Sequence, residues 1–289
     1  CKMIIINIMG GLGNQFFTYA TAYALAKKYN EDVALDLQLY QTTYSLRKCQ
    51  LEEYSIDFTK KVIPYSFGHN RVAVKIYRII HDMILKYKYK VDYVDEIEHF
   101  SFQDIKVEPG VNVCLRGYWQ NHRYFDDVKN DLIRQFKPKF ISTEAQNAIS
   151  KVENKGTVAV HIRRTDYKTY KGGKCLSIDY YIHAMSLMKE RLDYSPNFIV
   201  FTDDVSFCKQ MFSEMPNVSY ICNIANLSDM EELYVMSHCD NFILANSSFS
   251  WWAAYLSAKD NKVVIAPVVD FWKEDFYLPE WNKIKAVLE

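Results

Sequence analysis

Short apolar runs alternate with longer segments of helical period along most of the chain. The run from Met3 to Ile8 predicts a strand, and the aromatic, Ala-rich stretch from about Asn14 to Tyr29 predicts a helix. "DVALDL" follows as a second strand ending near Asp36, and this β-α-β opening predicts a parallel sheet. Residues 75–90 place Ile76, Ile79, Ile80, Met83, Ile84 and Tyr87 at helical spacing opposite a basic face. The expectation is a helix packed on the sheet with solvated lysines; the alternative is a helix resting on a membrane surface. "NVCLRGYWQNHRYF" reads as a strand running into a polar, aromatic loop, and Thr143 to Gln146 reads as a capping box that starts a helix. The second half alternates more regularly. "TVAVHI", "NFIVFT", "VSYIC", "NFILA" and "KVVIAPVV" predict five strands separated by four helices, one of them opened by a capping box from Ser228 to Glu231. Such alternation predicts a doubly wound α/β domain. The boundary is placed near 138–155, giving domains 1–150 and 151–289.

Composition narrows the function classes. The 289 residues are 49% hydrophobic and 24% charged, as in an ordinary soluble globular chain. With 35 basic and 35 acidic residues there is no basic excess, which argues against a nucleic-acid partner. No apolar run approaches the roughly 20 residues of a membrane span, and no signal peptide is visible. Seven scattered cysteines with no C-x-x-C pair argue against a disulfide framework and for a reducing compartment.

In an open parallel sheet, ligands bind beyond the carboxyl ends of the strands. Four polar clusters fall there: Gly10, Gly11, Gly13, Asn14 and Gln15; His161 to Asp166; Asp203-Asp204; and Asn246 to Ser250. Arg163 and Arg164 at a strand end suit a phosphate, because guanidinium bonds phosphate oxygens bidentately and stays charged. The competing reading is a salt bridge to Asp166. Ser247, Ser248 and Phe249 sit at a helix start, where backbone N–H groups hold anions, or where Ser247 is a plain N-cap. The glycine loop lacks the Gly-Lys-Ser/Thr of a Walker A loop, and Phe16 stands at the third glycine of G-x-G-x-x-G. An NAD-dependent oxidoreductase or epimerase, with Asp36 as the ribose acid, is the lesser reading. No D-x-D pair and no zinc spacing is present, so no metal is expected and a departing diphosphate would be met by arginine and helix N-termini. Trp251 and Trp252 follow one another on a helix, cannot share a face, and are expected mainly in the core.

Taken together, "GGLGNQ", "HIRRTDY" and "SSFSWWAAYL" resemble, in order and across most of the chain, the motifs of the α-1,2-fucosyltransferases of glycosyltransferase family 11. The resemblance implies an α/β, GT-B-like fold of two Rossmann-like doubly wound domains facing a central cleft. The N-terminal domain would be the acceptor side and the C-terminal domain would bind GDP-fucose. It implies inverting transfer of L-fucose from GDP-β-L-fucose to O2 of a terminal galactose on an oligosaccharide or glycolipid, with no metal; GDP-fucose is a co-substrate rather than a cofactor. Arg163 would stabilise the departing GDP, and His161 would lie near the nucleotide. Asp203 and Asp229 would stand around guanosine, while Gly11, Gly13 and Asn14 would meet the diphosphate. Asp166 is taken as the general base because it belongs to the matched motif, with Asp36 and Asp126-Asp127 as other candidates. Rivals are another GDP-sugar or linkage, and a non-catalytic nucleotide-sugar-binding protein. The expected location is cytoplasmic, with peripheral contact at the inner membrane when the acceptor is lipid-linked.

Overall fold

The computed structural model describes residues 2–40, 48–62, 71–108, 110–154, 156–169, 174–223, 225–270, 272 and 274–289. The chain divides into two compact units, Cys1–Phe136 and Lys137–Glu289.

The first unit runs β1 (Met3–Asn7), α1 (Leu12–Tyr29), β2 (Asp32–Asp36), β3 (Lys60–Lys61), α2 (Arg71–Met83), β4 (Val91–Asp95), β5 (Asn112–Arg116) and α3 (Lys129–Gln135). Its sheet has the order β3-β2-β1-β5-β4, and every pairing is parallel. All five residues of central β1 are buried, as a parallel strand covered on both faces requires. Helix α1 begins at Leu12, two residues earlier than its sequence pattern indicated, so Gly11 is the N-cap and Gly13 lies in the first turn. Its apolar residues spread around the helix because Phe16, Phe17, Tyr19, Ala20 and Ala22 are all fully buried. It stops at Asn30, whose left-handed backbone (φ 54°) lets the chain turn back onto the carbonyls of Ala26 and Lys27.

The 75–90 segment is helical, with a π-helical turn from Ile84 to Tyr89, but its orientation differs from the expected one. The side against the sheet is Val74, Tyr77, His81, Leu85 and Tyr89, while Ile76, Ile79, Met83 and Tyr87 are exposed. A polar residue on the buried side disguised that face. His81 is buried because Asp36, itself buried, bonds its Nε2 at 2.9 Å.

The second unit runs α4 (Thr143–Val152), β6 (Thr157–Ile162), α5 (Thr165–Thr169), α6 (Ile178–Arg191), β7 (Asn197–Thr202), α7 (Val205–Met211), β8 (Val218–Tyr220), α8 (Asp229–Met236), β9 (Asn241–Ile243), α9 (Ser248–Leu256), β10 (Val264–Val268) and β11 (Asn282–Lys285). All pairings in the β11-β10-β9-β6-β7-β8 sheet are parallel. The sixth strand, "NKIK", carries no apolar run and is half exposed at the edge, which is why its pattern gave no signal. Helix α4 belongs to this unit: Ala145, Ala148 and Val152 are buried, and the Ser142 amide donates to Glu231 Oε1 on α8 at 2.8 Å. Ser142, one residue before the expected cap, supplies the side chain that accepts from the Ala145 amide. The capping box from Ser228 to Glu231 forms as read.

Trp251 and Trp252 are both fully buried, and Trp251 donates its indole N–H to the Phe276 carbonyl at 2.8 Å. Among the described residues, six cysteines are free and no helix is long and apolar enough to cross a membrane.

Candidate functional site

The order of the second sheet reverses beside its first strand, between β6 and β9. A parallel sheet opens a crevice at such a point beyond its carboxyl ends. The loops that leave β6, β7 and β9 there are tied together. The His161 ring lies 5.5 Å from the Phe249 ring on α9, and the Tyr167 hydroxyl on α5 donates to the Asn246 carbonyl at 3.1 Å.

Arg163 is the first residue beyond β6. Asp166 clasps it bidentately, accepting from Nε and Nη2 at 2.8 Å each, and Asp203 Oδ2 stands 3.2 Å from Nε. Burial works against its charge, but the bond to Asp166 and the charge of Asp203 together lift the guanidinium above its ordinary pKa. Guanidinium carries five N–H donors, and the Asp166 clasp engages two of them. The Nη1 side makes no hydrogen bond among the described residues, so a fork suited to phosphate remains on a group already aimed and already ionised.

Asp203 builds the turn that presents Arg163. Its Oδ1 accepts from the Arg164 amide at 2.8 Å, and its Oδ2 accepts from the Thr165 amide at 3.2 Å and the Thr165 hydroxyl at 2.7 Å. Those bonds fasten the end of β6 and the start of α5 to the end of β7. Its oxygens are thereby engaged with protein donors. Asp166 spends both carboxylate oxygens on Arg163. Arg164 points into the fold: its guanidinium lies 3.5 Å from the Phe207 ring centre and pairs with Asp204 and Glu289 at 3.7 and 3.5 Å. Of the two adjacent arginines, only Arg163 presents donors at the strand end.

His161 is buried at the end of β6, with Nδ1 unpartnered. Burial, reinforced by the Arg163 charge, drives its pKa down to about 3. The folded protein holds the ring neutral, whereas the unfolded chain takes a proton below about pH 6.5. Stability from this group is therefore intact above that pH and is lost as pH falls toward about 3, at no more than about 1.4 kcal/mol per pH unit. Urea unfolding at about pH 7 and about pH 5 should show that slope reduced in His161→Gln. An equal slope in the variant would show that other groups cause it.

Ser247 caps α9, its hydroxyl accepting from the Phe249 amide at 3.3 Å, while Ser248 and Phe249 are half exposed at the helix start. Ser247 is thus the N-cap of this run. Asp229 is exposed in the first turn of α8. Glu232, one turn further on, was missed in the sequence. Burial, then the charge of Asp229, push its carboxyl up to about 7, with Arg163 pulling the other way. The "DMEEL" spacing places Asp229 and Glu232 on one face, and that was the available signal.

In the first unit, the corresponding reversal falls between β1 and β5. Gly10 adopts φ 74°, and a Cβ there would stand 2.5 Å from Asn14 Nδ2, so the Asn14 side chain is what approaches the glycine loop. Asn14 Oδ1 accepts from Gln120 Nε2 at 2.9 Å, linking the loops after β1 and β5. Gln15 is structural: buried, it bonds the Gly10 and Lys48 carbonyls and the Gln50 amide. The loop after β5 is strained. Trp119 is fully buried at φ 56°, and Glu96 holds the turn by accepting from the Tyr118 and Trp119 amides at 3.0 and 2.9 Å. His122 Nδ1 stands 2.5 Å from Asp126 Oδ2, an oriented imidazole that the sequence reading passed over. Asp36 is only 2% exposed and is bonded by Asn7 and His81, which removes it as a base for an external hydroxyl. Among the described residues no three His, Cys, Asp or Glu side chains group as a cation site.

The profile of Glycosyl transferase family 11 matches residues 2–285, and the chain belongs to that family. It is 31% identical over 284 residues to the alpha-1,2-colitosyltransferase of Escherichia coli, covering 95% of this chain and 94% of the relative. It is 24% identical over 306 residues to the galactoside 2-alpha-L-fucosyltransferase Sec1 of Mus musculus, covering 99% of this chain and 75% of the relative. Among solved structures it is similar to the fucosyltransferase NodZ from Bradyrhizobium, with TM-score 0.52 and 15% identity over 90% of this chain and 96% of the other. That likeness concerns the fold, which is GT-B-like: two Rossmann-like α/β units, each on a parallel sheet.

Proposed function

We propose that this glycosyltransferase is an inverting α-1,2-fucosyltransferase. It moves L-fucose from GDP-β-L-fucose to O2 of a terminal galactose on an oligosaccharide or glycolipid. The observation that carries the reading is Arg163: an ionised fork held by Asp166 and Asp203 at the carboxyl end of the central strand. In the proposed reaction the acceptor oxygen bonds the anomeric carbon as the bond to GDP breaks, the hydroxyl proton passes to a base, and the electron pair leaves on the diphosphate. Arg163, with the Ser247-Ser248 start of α9, offsets that charge without a divalent cation. Neutral His161 lines the same strand end, and Asp166 serves as the positioning partner of Arg163.

Asp229 and Glu232 suit guanosine, because a carboxylate accepts from both N1–H and N2–H of guanine and adenine offers no such pair. Gly11, Gly13 and Asn14, at a helix start whose cap carries no side chain, form a further group of backbone donors suited to an anion.

A second reading, colitosyl in place of fucosyl transfer, rests on the similarity to the E. coli colitosyltransferase. Incubation with GDP-fucose and lactose in EDTA, with the product linkage read by NMR, tests the proposal. An α-1,2-linked fucoside is expected at an undiminished rate. Transfer only from a colitosyl donor, another linkage, or loss of turnover on chelation would each overturn a named part of it.

A further inference from the structure

We propose that the helical segment from Arg71 to Lys90 seats the first unit on an anionic lipid surface. Val74, Tyr77, His81, Leu85 and Tyr89 are buried, and Tyr77, Leu85 and Tyr89 join Met3, Ile5, Ala34 and Cys114 in one core cluster. At 100° per residue, Val72, Ile76, Ile79 and Met83 fall on the side of α2 opposite Val74, Tyr77 and His81. They are 68%, 47%, 52% and 54% exposed, and Tyr87 on the following turn is 65% exposed. Single exposed apolar residues need no explanation, but a continuous row along one helix does.

The charges say what covers the row. From Arg71 to Lys90 the sequence holds six basic residues and one acid, Asp82, in a chain of zero net charge. Lys75, Lys86 and Lys88 are exposed. A second copy of this chain seated on the row would bring two such basic segments together and be repelled. An anionic bilayer offers both an apolar phase for the row and negative headgroups for the lysines, with Tyr87 amphipathic at the boundary. The segment would lie in the plane of the interface, being too charged to cross it. This inference does not depend on which sugar is transferred.

Vesicle flotation of the full chain tests it, comparing phosphatidylcholine alone with phosphatidylcholine carrying about one-third phosphatidylglycerol. Binding is expected only to the anionic vesicles and should weaken as salt is raised. Two triple variants, Ile76→Ser/Ile79→Ser/Met83→Ser and Lys75→Glu/Lys86→Glu/Lys88→Glu, should each lower partitioning at least about tenfold. Their circular dichroism and melting temperature should match the parent, since every altered side chain is exposed. Absence of binding to anionic vesicles, or binding that neither variant weakens, overturns the proposal. So does a wild-type dimer that the serine variant alone makes monomeric.

Discussion

Replacing Arg163 with alanine is expected to lower kcat by about 10²–10³-fold, the scale for removing one preorganised donor from a developing negative charge. The effect should fall on kcat more than on KM, because the leaving diphosphate gains its charge only as the glycosidic bond breaks. Arg163→Lys keeps a cation but loses the planar fork, so it should recover part of the loss and no more. Folding should be little affected, since the Asp203 bonds to the backbone remain in both variants. Steady-state kinetics with GDP-fucose and lactose, alongside thermal unfolding, measures both. A kcat near that of the parent would remove Arg163 from the mechanism.

Asp203→Ala is the second large effect. It leaves the Arg164 and Thr165 amides without their carboxylate and strips a neighbouring charge from Arg163. A cost of about 2–4 kcal/mol in unfolding free energy is expected from the broken charge-assisted bonds. Activity should fall by more than the folded fraction does, because the turn that aims Arg163 is loosened. A double-mutant cycle with Arg163→Ala separates the two consequences. Once Arg163 is gone, losing Asp203 should cost little further activity but the same stability. Fully additive activity losses would show that Asp203 acts on its own.

Much of this fold was legible because period and capping carry direct physical meaning. Buried parallel strands such as "TVAVHI" read as unbroken apolar runs, and Ser228 with Glu231 marked a helix start that forms as written. The failures share a cause. The buried face of α2 contains His81, satisfied by Asp36, while its exposed face is apolar, so a rule that buries the apolar side selects the wrong one. Strand β11 owes its place to pairing with β10, which "NKIK" does not advertise.

In the candidate site, residue type identified the cluster but not the division of labour within it. Adjacent Arg163 and Arg164 look alike in sequence, yet one presents donors at the strand end and the other stacks on Phe207. For Asp166 the sequence left a base and a salt-bridge partner of Arg163 both open, and the geometry sets it, with Asp203, against that arginine. The "DMEEL" spacing sets Glu232 beside Asp229, but the burial that raises its carboxyl is a tertiary effect that spacing alone does not record.

Calorimetric titration of GDP in EDTA, into the parent and into Arg163→Ala, tests the central claim most directly. The account predicts that GDP binds the parent, that ADP and UDP bind far more weakly, and that the variant loses at least about tenfold in affinity, the worth of one charge-assisted phosphate contact. GDP binding that requires a divalent cation, or that is equal in parent and variant, would contradict it.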